Sequence, residues 1–181
     1  MSGRRGPEPR VVVPVDTAPT ERAVLEALAE VKDPEIPSVS VVDLGMVHRV
    51  EVSEGHVRVA LLPTFVGCPA VDLIRRAVAE RLAPLAAVVE VETTFAEPWT
   101  SDRITPEGRR KLRESGFAPP APAGGGPDRP LLLTIGMRAS ANCPYCGSAD
   151  TNLENPFGPT LCRAIFWCNA CRQPFEQFKA V

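Results

Sequence analysis

The last quarter of the chain carries two C-x-x-C pairs, CPYC at 143–146 and CNAC at 168–171. No other feature limits the possible folds as tightly. Each such turn can present two sulfurs to one ion, so two turns close a tetrahedron around Zn²⁺ at about 2.3 Å per bond. Twenty-one residues separate Cys146 from Cys168, just past the usual window for this pattern. Pro144 inside the first pair and Gly147 after it suit a tight knuckle. A module of some 50 residues has too small a core to fold unaided and needs such a staple. The competing reading is a dithiol redox site, but no βαβ pattern surrounds either pair, as thioredoxin-like chemistry wants. Cys162 complicates the set. It could replace one ligand or stand as an extra thiol, and we read it as free or packed.

The module is marked off by APPAPAGGGPDRP, residues 118–130. Five prolines stiffen that stretch, three successive glycines loosen it, and no large apolar side chain is there to bury. It reads as a linker between a domain at 17–117 and a zinc ribbon at 131–181. Residues 1–16, rich in Pro, Gly and Arg without periodicity, read as a disordered arm.

Within the first domain, Val24, Ala27, Leu28 and Val31 form one stripe of a helix over about 20–32, which Pro34 should end at Asp33. VHRVEV and HVRVALL alternate as two strands about the turn SEG. Val71, Ile74, Val78 and Leu82 share a face of a second helix, with Pro69 suited to its first position and Cys68 to its N-cap. AVVEVETTF, 87–95, reads as a third strand. Thr105, Pro106 and Gly116 then signal the cap, first position and end of a short helix. The order α-β-β-α-β implies an α+β fold, a small mixed sheet with helices on one side.

Charge excludes one class of partner. A net charge of −2 leaves no basic footprint for nucleic acid. No apolar run approaches the ~18 residues of a membrane span, and none follows the first residues as in a signal peptide. The cytoplasm, where thiols stay reduced and paired cysteines bind metal more often than they form disulfides, is the expected compartment.

Cys68, in PTFVGCPA, is the sharpest single residue outside the ribbon. At a helix N-terminus, N–H groups and the macrodipole would lower its pKa and make it a nucleophile or soft-metal ligand. A lone cysteine is otherwise a small buried hydrophobe. Thr64 and Gly67 suggest a shaped loop around it. Asp33-Pro34-Glu35 offers two carboxylates beside a fixed bend, usually helix punctuation with solvated charges. Beside Cys68 they would make a mixed sulfur and oxygen cluster suited to transient iron. His48 and His56 read as ordinary strand residues. Arg109, Arg110, Lys111 and Arg113 read as a solvated basic face or a site for an acidic partner. No Ser/His/Asp set and no phosphate-binding glycine loop is present, which weakens any claim of catalysis by this chain alone.

VKDPEIPSVSVVDLGMV followed by PTFVGCPA resembles the MIP18 family (DUF59-type, SufT-like) of iron–sulfur assembly proteins. EPWTSDRITPEGRRKLRESGFAPP, CPYCGS and CRAIFWCNACRQPFEQFK narrow the resemblance to the PaaD or PaaJ family, accessory subunits of the phenylacetyl-CoA epoxidase, a multicomponent monooxygenase of aerobic phenylacetate degradation. The match spans roughly 20–180. It implies a MIP18-like domain and a zinc ribbon, and a maturation factor for iron or iron–sulfur centres. The implied partners are the oxygenase and reductase components and the iron–sulfur assembly machinery. The family's reactive cysteine falls on Cys68, its DPE motif on Asp33, Pro34 and Glu35, its threonine on Thr64, and its PWT segment on Pro98 and Trp99. Its zinc pairs fall on Cys143/Cys146 and Cys168/Cys171. Phe-Val-Gly precedes Cys68 where Tyr-Ser-Gly is frequent, so a hydroxyl near the thiol is missing. A structural subunit of the complex and a dithiol electron carrier are the alternative roles.

Overall fold

The computed structural model describes residues 19–120 and 141–179. The expected arm at 1–16, most of the 118–130 linker and the first part of the ribbon segment lie outside the described residues.

Helix α1 (Glu21–Leu28) is capped by Thr20, whose hydroxyl accepts from the Ala23 N–H. The apolar spacing predicts a longer helix, to about 32, yet it stops at Leu28. Lys32 instead forms a β-bridge to Ser40, while the N–H groups of Asp33 and Val41 bond the carbonyls of Val39 and Val31. That closed loop satisfies the backbone groups a further helical turn would have satisfied. Val31 still reaches the core.

Strands β1 (Val47–Ser53) and β2 (His56–Leu61) pair antiparallel, and β3 (Val88–Thr93) adds to β2 in parallel after the crossover helix α2 (Val71–Leu82). Val57, Val59 and Leu61 turn inward against Val24 and Leu28 of α1 and Ile74, Val78 and Leu82 of α2. The other sheet face carries Glu51, Arg58 and Glu90 side by side, with Arg58 2.8 Å from Glu90. The helices thus cover one side of a mixed sheet, as the sequence implied. Phe95, the last residue of the stretch read as the third strand, lies beyond β3 and is exposed.

Helix α3 (Pro106–Glu114) has the ends its sequence signals. Thr105 accepts from the Gly108 N–H, Pro106 opens the helix, and Gly116 leaves it at a φ of 83°. A Cβ on Gly108 would lie 2.4 Å from the Asp43 carbonyl oxygen, so only glycine lets α3 approach that loop. The basic residues of α3 divide: Arg110 and Arg113 are exposed, as a solvated face requires, and Arg109 and Lys111 are half-buried. Arg110 pairs with Glu107 and Glu114, Arg109 donates to the Ser101 carbonyl, and Lys111 sits 2.8 Å from Asp43.

Burial alone would raise the Asp43 carboxyl, but Lys111 and the N–H and hydroxyl of Ser40 outweigh it and hold the group below the usual carboxylate range. A depressed folded pKa gives stability that is present above the unfolded value and lost as pH falls through the folded one. Lys111→Met should therefore cost about 2 kcal/mol near neutral pH. Urea titrations should show the difference shrinking as pH falls below the ordinary carboxylate range and closing once pH has passed the depressed folded value of Asp43.

The second sheet is β4-β7-β6-β5, formed by β4 (Phe117–Ala118), β5 (Thr151–Asn155), β6 (Arg163–Cys168) and β7 (Pro174–Phe178). β5, β6 and β7 form an antiparallel meander, and β4 pairs in parallel with β7. Its core is small: Ala118, Ala141, Ala164, two of the paired cysteines, and Phe166 stacked on Phe175 at 5.6 Å. The expected boundary at 117/118 is bridged in two ways. β4, made of the first domain's last residue and the first residue of the expected linker, joins the ribbon's sheet. Phe178, from the ribbon's last strand, enters the first domain's core and meets Trp99 edge-on at 6.0 Å. No helix among the described residues is long and apolar enough to cross a membrane.

Candidate metal centre and the interdomain cavity

The two cysteine pairs lie on matching turns. Gly147 N–H bonds the Cys143 carbonyl and Arg172 N–H bonds the Cys168 carbonyl, each at 2.9 Å. Cys143 and Cys168 in turn donate their N–H groups to the carbonyls of Ser148 and Gln173. Both turns leave through a left-handed residue, Gly147 at φ 76° and Arg172 at φ 57°. Arginine at such an angle is uncommon and persists only where the surroundings demand it.

These turns bring all four sulfurs within 4.8 Å of one another. Cys143 Sγ lies 3.6 Å from Cys171 Sγ, and Cys146 Sγ 3.6 Å from Cys168 Sγ. A tetrahedron with metal–sulfur bonds near 2.3 Å has edges of about 3.8 Å, so the spacing fits a single metal ion. It is far beyond a disulfide bond, and all six cysteines are free. Backbone N–H groups of Ser148, Cys171 and Gln173 point at the sulfurs of Cys146, Cys168 and Cys171 respectively. Without a cation Cys168 and Cys171 hold their protons unequally. The N–H of Cys171 helps bring Cys168 down to about 7, while burial and the neighbouring thiols push Cys171 up to about 12. A metal ion's charge reverses that penalty and draws all four to thiolates. The four-thiol set is a metal-binding cluster.

A second cluster lies where the two sheets meet. Asp33, Glu35, Thr64 and Cys68 from the first domain line one cavity with Thr160, Cys162 and Arg163 from the ribbon. Ile36, Phe65, Leu161 and Phe178 give it apolar walls. The cavity holds about 40 Å³, room for an ion or a few waters but far below the several hundred Å³ of an organic-substrate pocket.

Cys68 does not cap α2 as its sequence position suggested. The helix begins at Val71 with Ala70 as its cap residue, because Cys68–Ala70 form a preceding turn closed by the Val71 N–H to the Cys68 carbonyl. The N–H groups of Ala70 and Val71 still point at the Cys68 sulfur. They do not prevail. Burial first, then Cys162 and Asp33, push the Cys68 thiol above its ordinary value of 9.0, against the expectation of a lowered pKa. Cys68 should therefore react with iodoacetamide more slowly than a free cysteine at neutral pH, with a midpoint above 9.0. Mass-resolved alkylation across pH measures this directly.

The DPE turn is built around Asp33. Its Oδ1 accepts the N–H groups of Glu35 at 2.8 Å and Ile36 at 2.9 Å, and burial in the cavity raises its pKa despite those bonds. Glu35 reaches out to Arg163 at 2.6 Å. Gly67 holds the turn before Cys68 at φ 80°, a left-handed angle that favours glycine. Gly67 and Pro98 are absent from the cavity wall, and Pro98 is exposed. Trp99 is buried, donates its indole N–H to the Leu44 carbonyl at 2.8 Å, and supports Phe178 at the cavity's edge.

Arg163 is the residue the sequence did not reveal. Ala164, Phe166 and Cys168 on β6 face the ribbon's own core, so Arg163 points the other way, toward the first domain. It is 6% exposed, bonds Thr160, Glu176 and Glu35, and stacks over Phe117 at 5.6 Å. Its burial and its partners come from both halves of the chain, and no local pattern announces them.

These two sites define a class of protein. Residues 21–93 match the family model of iron–sulfur cluster assembly proteins, and residues 127–179 match that of the PaaD zinc beta ribbon domain. A protein of Escherichia coli K12, named as a candidate component of the 1,2-phenylacetyl-CoA epoxidase, is 36% identical over 90% of this chain and 94% of its own, and the chain belongs to that PaaD family. An Fe-S protein maturation auxiliary factor of Porphyromonas gingivalis is 35% identical, over 51% of this chain and 90% of its own. The crystal structure of a DUF59 domain of unknown function from Bacillus anthracis matches 51% of this chain and 90% of its own, at 28% identity and a TM-score of 0.48.

Proposed function

We propose that this chain is an accessory protein of the 1,2-phenylacetyl-CoA epoxidase, acting as a maturation factor for its iron or iron–sulfur centres during aerobic phenylacetate degradation in the cytoplasm. The observation that carries the proposal is the segregation of two kinds of metal chemistry. Cys143, Cys146, Cys168 and Cys171 form a closed set suited to a permanent structural Zn²⁺. Cys68 sits apart, with Asp33 and Thr64, in a cavity too small for a CoA thioester. Iron, alone or in a cluster, is the cargo there, and Cys68 is its ligand. A cation in the cavity would favour the Cys68 thiolate and the Asp33 carboxylate, against the burial that raises both pKa values. Glu35 can assist only by leaving Arg163.

The ribbon serves as the docking module for the oxygenase or reductase component, with the iron–sulfur assembly machinery supplying the cargo. A dithiol electron carrier fits poorly, because the four sulfurs are spaced for an ion rather than for paired disulfides. A permanent structural component of the complex is the second reading, favoured by the name of the Escherichia coli relative, which counts it among the epoxidase's own subunits.

Complementation of a deletion strain tests the proposal. Cys68→Ser should give a folded, zinc-bearing protein that does not restore growth on phenylacetate, and the oxygenase or reductase purified from those cells should be short of iron. Active oxygenase should contain no stoichiometric copy of this chain. Normal growth with Cys68→Ser would remove the cargo-ligand role, and a one-to-one copy in the active complex would favour the second reading.

A further inference from the structure

Resting on the reading of Cys68 as the cargo ligand, we infer that Cys162 is the second thiol ligand of the same site, so that the domain and the ribbon hold the iron between them. Cys162 stands outside the four-sulfur cluster. It lines the same cavity as Cys68, and both pack against the first domain's core. Its position is fixed on three sides. The Thr160 hydroxyl lies 3.2 Å from its sulfur, the Lys179 N–H bonds its carbonyl, and the adjoining Arg163 ties the segment to Glu35.

Two thiols facing one ion-sized cavity select a softer ion such as Fe²⁺ over Mg²⁺ or Ca²⁺. Each thiol that ligates releases its proton to solvent, and no oxidant or reductant is needed. Among the described residues, only the ribbon cluster gathers three or more ligand atoms close enough to enclose an ion. The Cys68–Cys162 site is therefore open, with coordination positions left for a donor or a client. Closed sites keep their metal, and open ones exchange it. The pairing also makes the site conditional: a ribbon displaced from the domain takes one ligand with it.

Anaerobic titration of the full-length, zinc-loaded protein with Co²⁺, standing in for Fe²⁺, tests the inference. Co²⁺ binds such sites less tightly than Zn²⁺ and leaves the ribbon occupied. The wild type should take up one further metal ion per chain with a thiolate-to-cobalt charge-transfer band. Cys162→Ser should weaken that uptake roughly tenfold or more and about halve the band, with zinc content unchanged. Uptake and band unaltered by Cys162→Ser, but lost with Cys68→Ser, would overturn the role of Cys162 and leave that of Cys68 standing. No uptake by the wild type would sink both. Alkylation of the wild-type protein with and without Co²⁺ avoids any folding defect of a variant. The metal should shield Cys68 and Cys162 together, and shielding of Cys68 alone would refute the pairing.

Discussion

Cys171→Ser should empty the ribbon of its metal and unfold residues 141–179. Binding free energy of a structural zinc in a small module is on the order of 10 kcal/mol and is at the same time folding free energy. The apolar core behind the cluster cannot replace it, since three of its members are alanines and two are cysteine ligands buried beside the metal. The first domain should remain folded but weakened, because Phe178 and the β4–β7 pairing leave with the ribbon. Metal analysis should fall from one zinc per chain to near zero. Hydrogen exchange should show lost protection in β5, β6 and β7 and retained protection in α1, α2 and the first sheet. Full protection of β6 in the zinc-free variant would show that the thiols do not hold the module together. Cys162→Ser should leave the zinc in place, and its loss there would reassign the ligands.

Phe178→Ala should cost about 3–5 kcal/mol, the usual range for deleting a buried aromatic side chain. The ring is 3% exposed, lies edge-on to Trp99 and belongs to the first domain's core although it comes from the ribbon's last strand. The mutation should also change the form of unfolding. Trp99 reports on the first domain and release of the ribbon's zinc to a chromogenic chelator reports on the ribbon, so a Trp167→Phe background follows the two halves separately with the Trp99–Phe178 contact intact. With Phe178 present the two denaturant transitions should lie close together. With alanine they should separate, while the zinc content stays at one per chain. Coincident transitions and a loss below about 1 kcal/mol would mean that the aromatic contact does not couple the halves.

What the sequence disclosed and what it concealed follow a physical divide. The ends of α3 were readable because Thr105, Pro106 and Gly116 act within one helical turn of themselves. The metal cluster was readable because each pair of ligands sits on its own turn and only two turns had to meet. The early end of α1 was not, since it depends on Ser40 pairing with Lys32, a contact outside any helical window. Cys68, Asp33, Glu35 and Thr64 could be singled out by motif, but their meeting with Cys162 and Arg163 could not. That meeting spans the whole length of the Pro/Gly segment and rests on how two sheets dock. The direction of the Cys68 pKa was concealed for a related reason. Helix-end N–H groups are visible as sequence position, whereas burial, which outweighs them, exists only in the folded cavity.

The parallel pairing of β4 with β7 has a consequence for how the molecule stays whole. The chain leaves the first domain along one edge of the ribbon's sheet, and its own last strand lies beside it on that same edge. The halves meet through Phe117 and Ala118 with β7, Glu35 with Arg163, and Trp99 with Phe178, pairs that lie on either side of the Pro/Gly stretch in the sequence. A protease that nicks the chain between those positions would sever the peptide without removing any of these contacts. Two fragments would then co-elute as one particle in size exclusion and part only in denaturant or chelator. The tether sets the local concentration for first assembly, and afterwards the noncovalent joint does the holding.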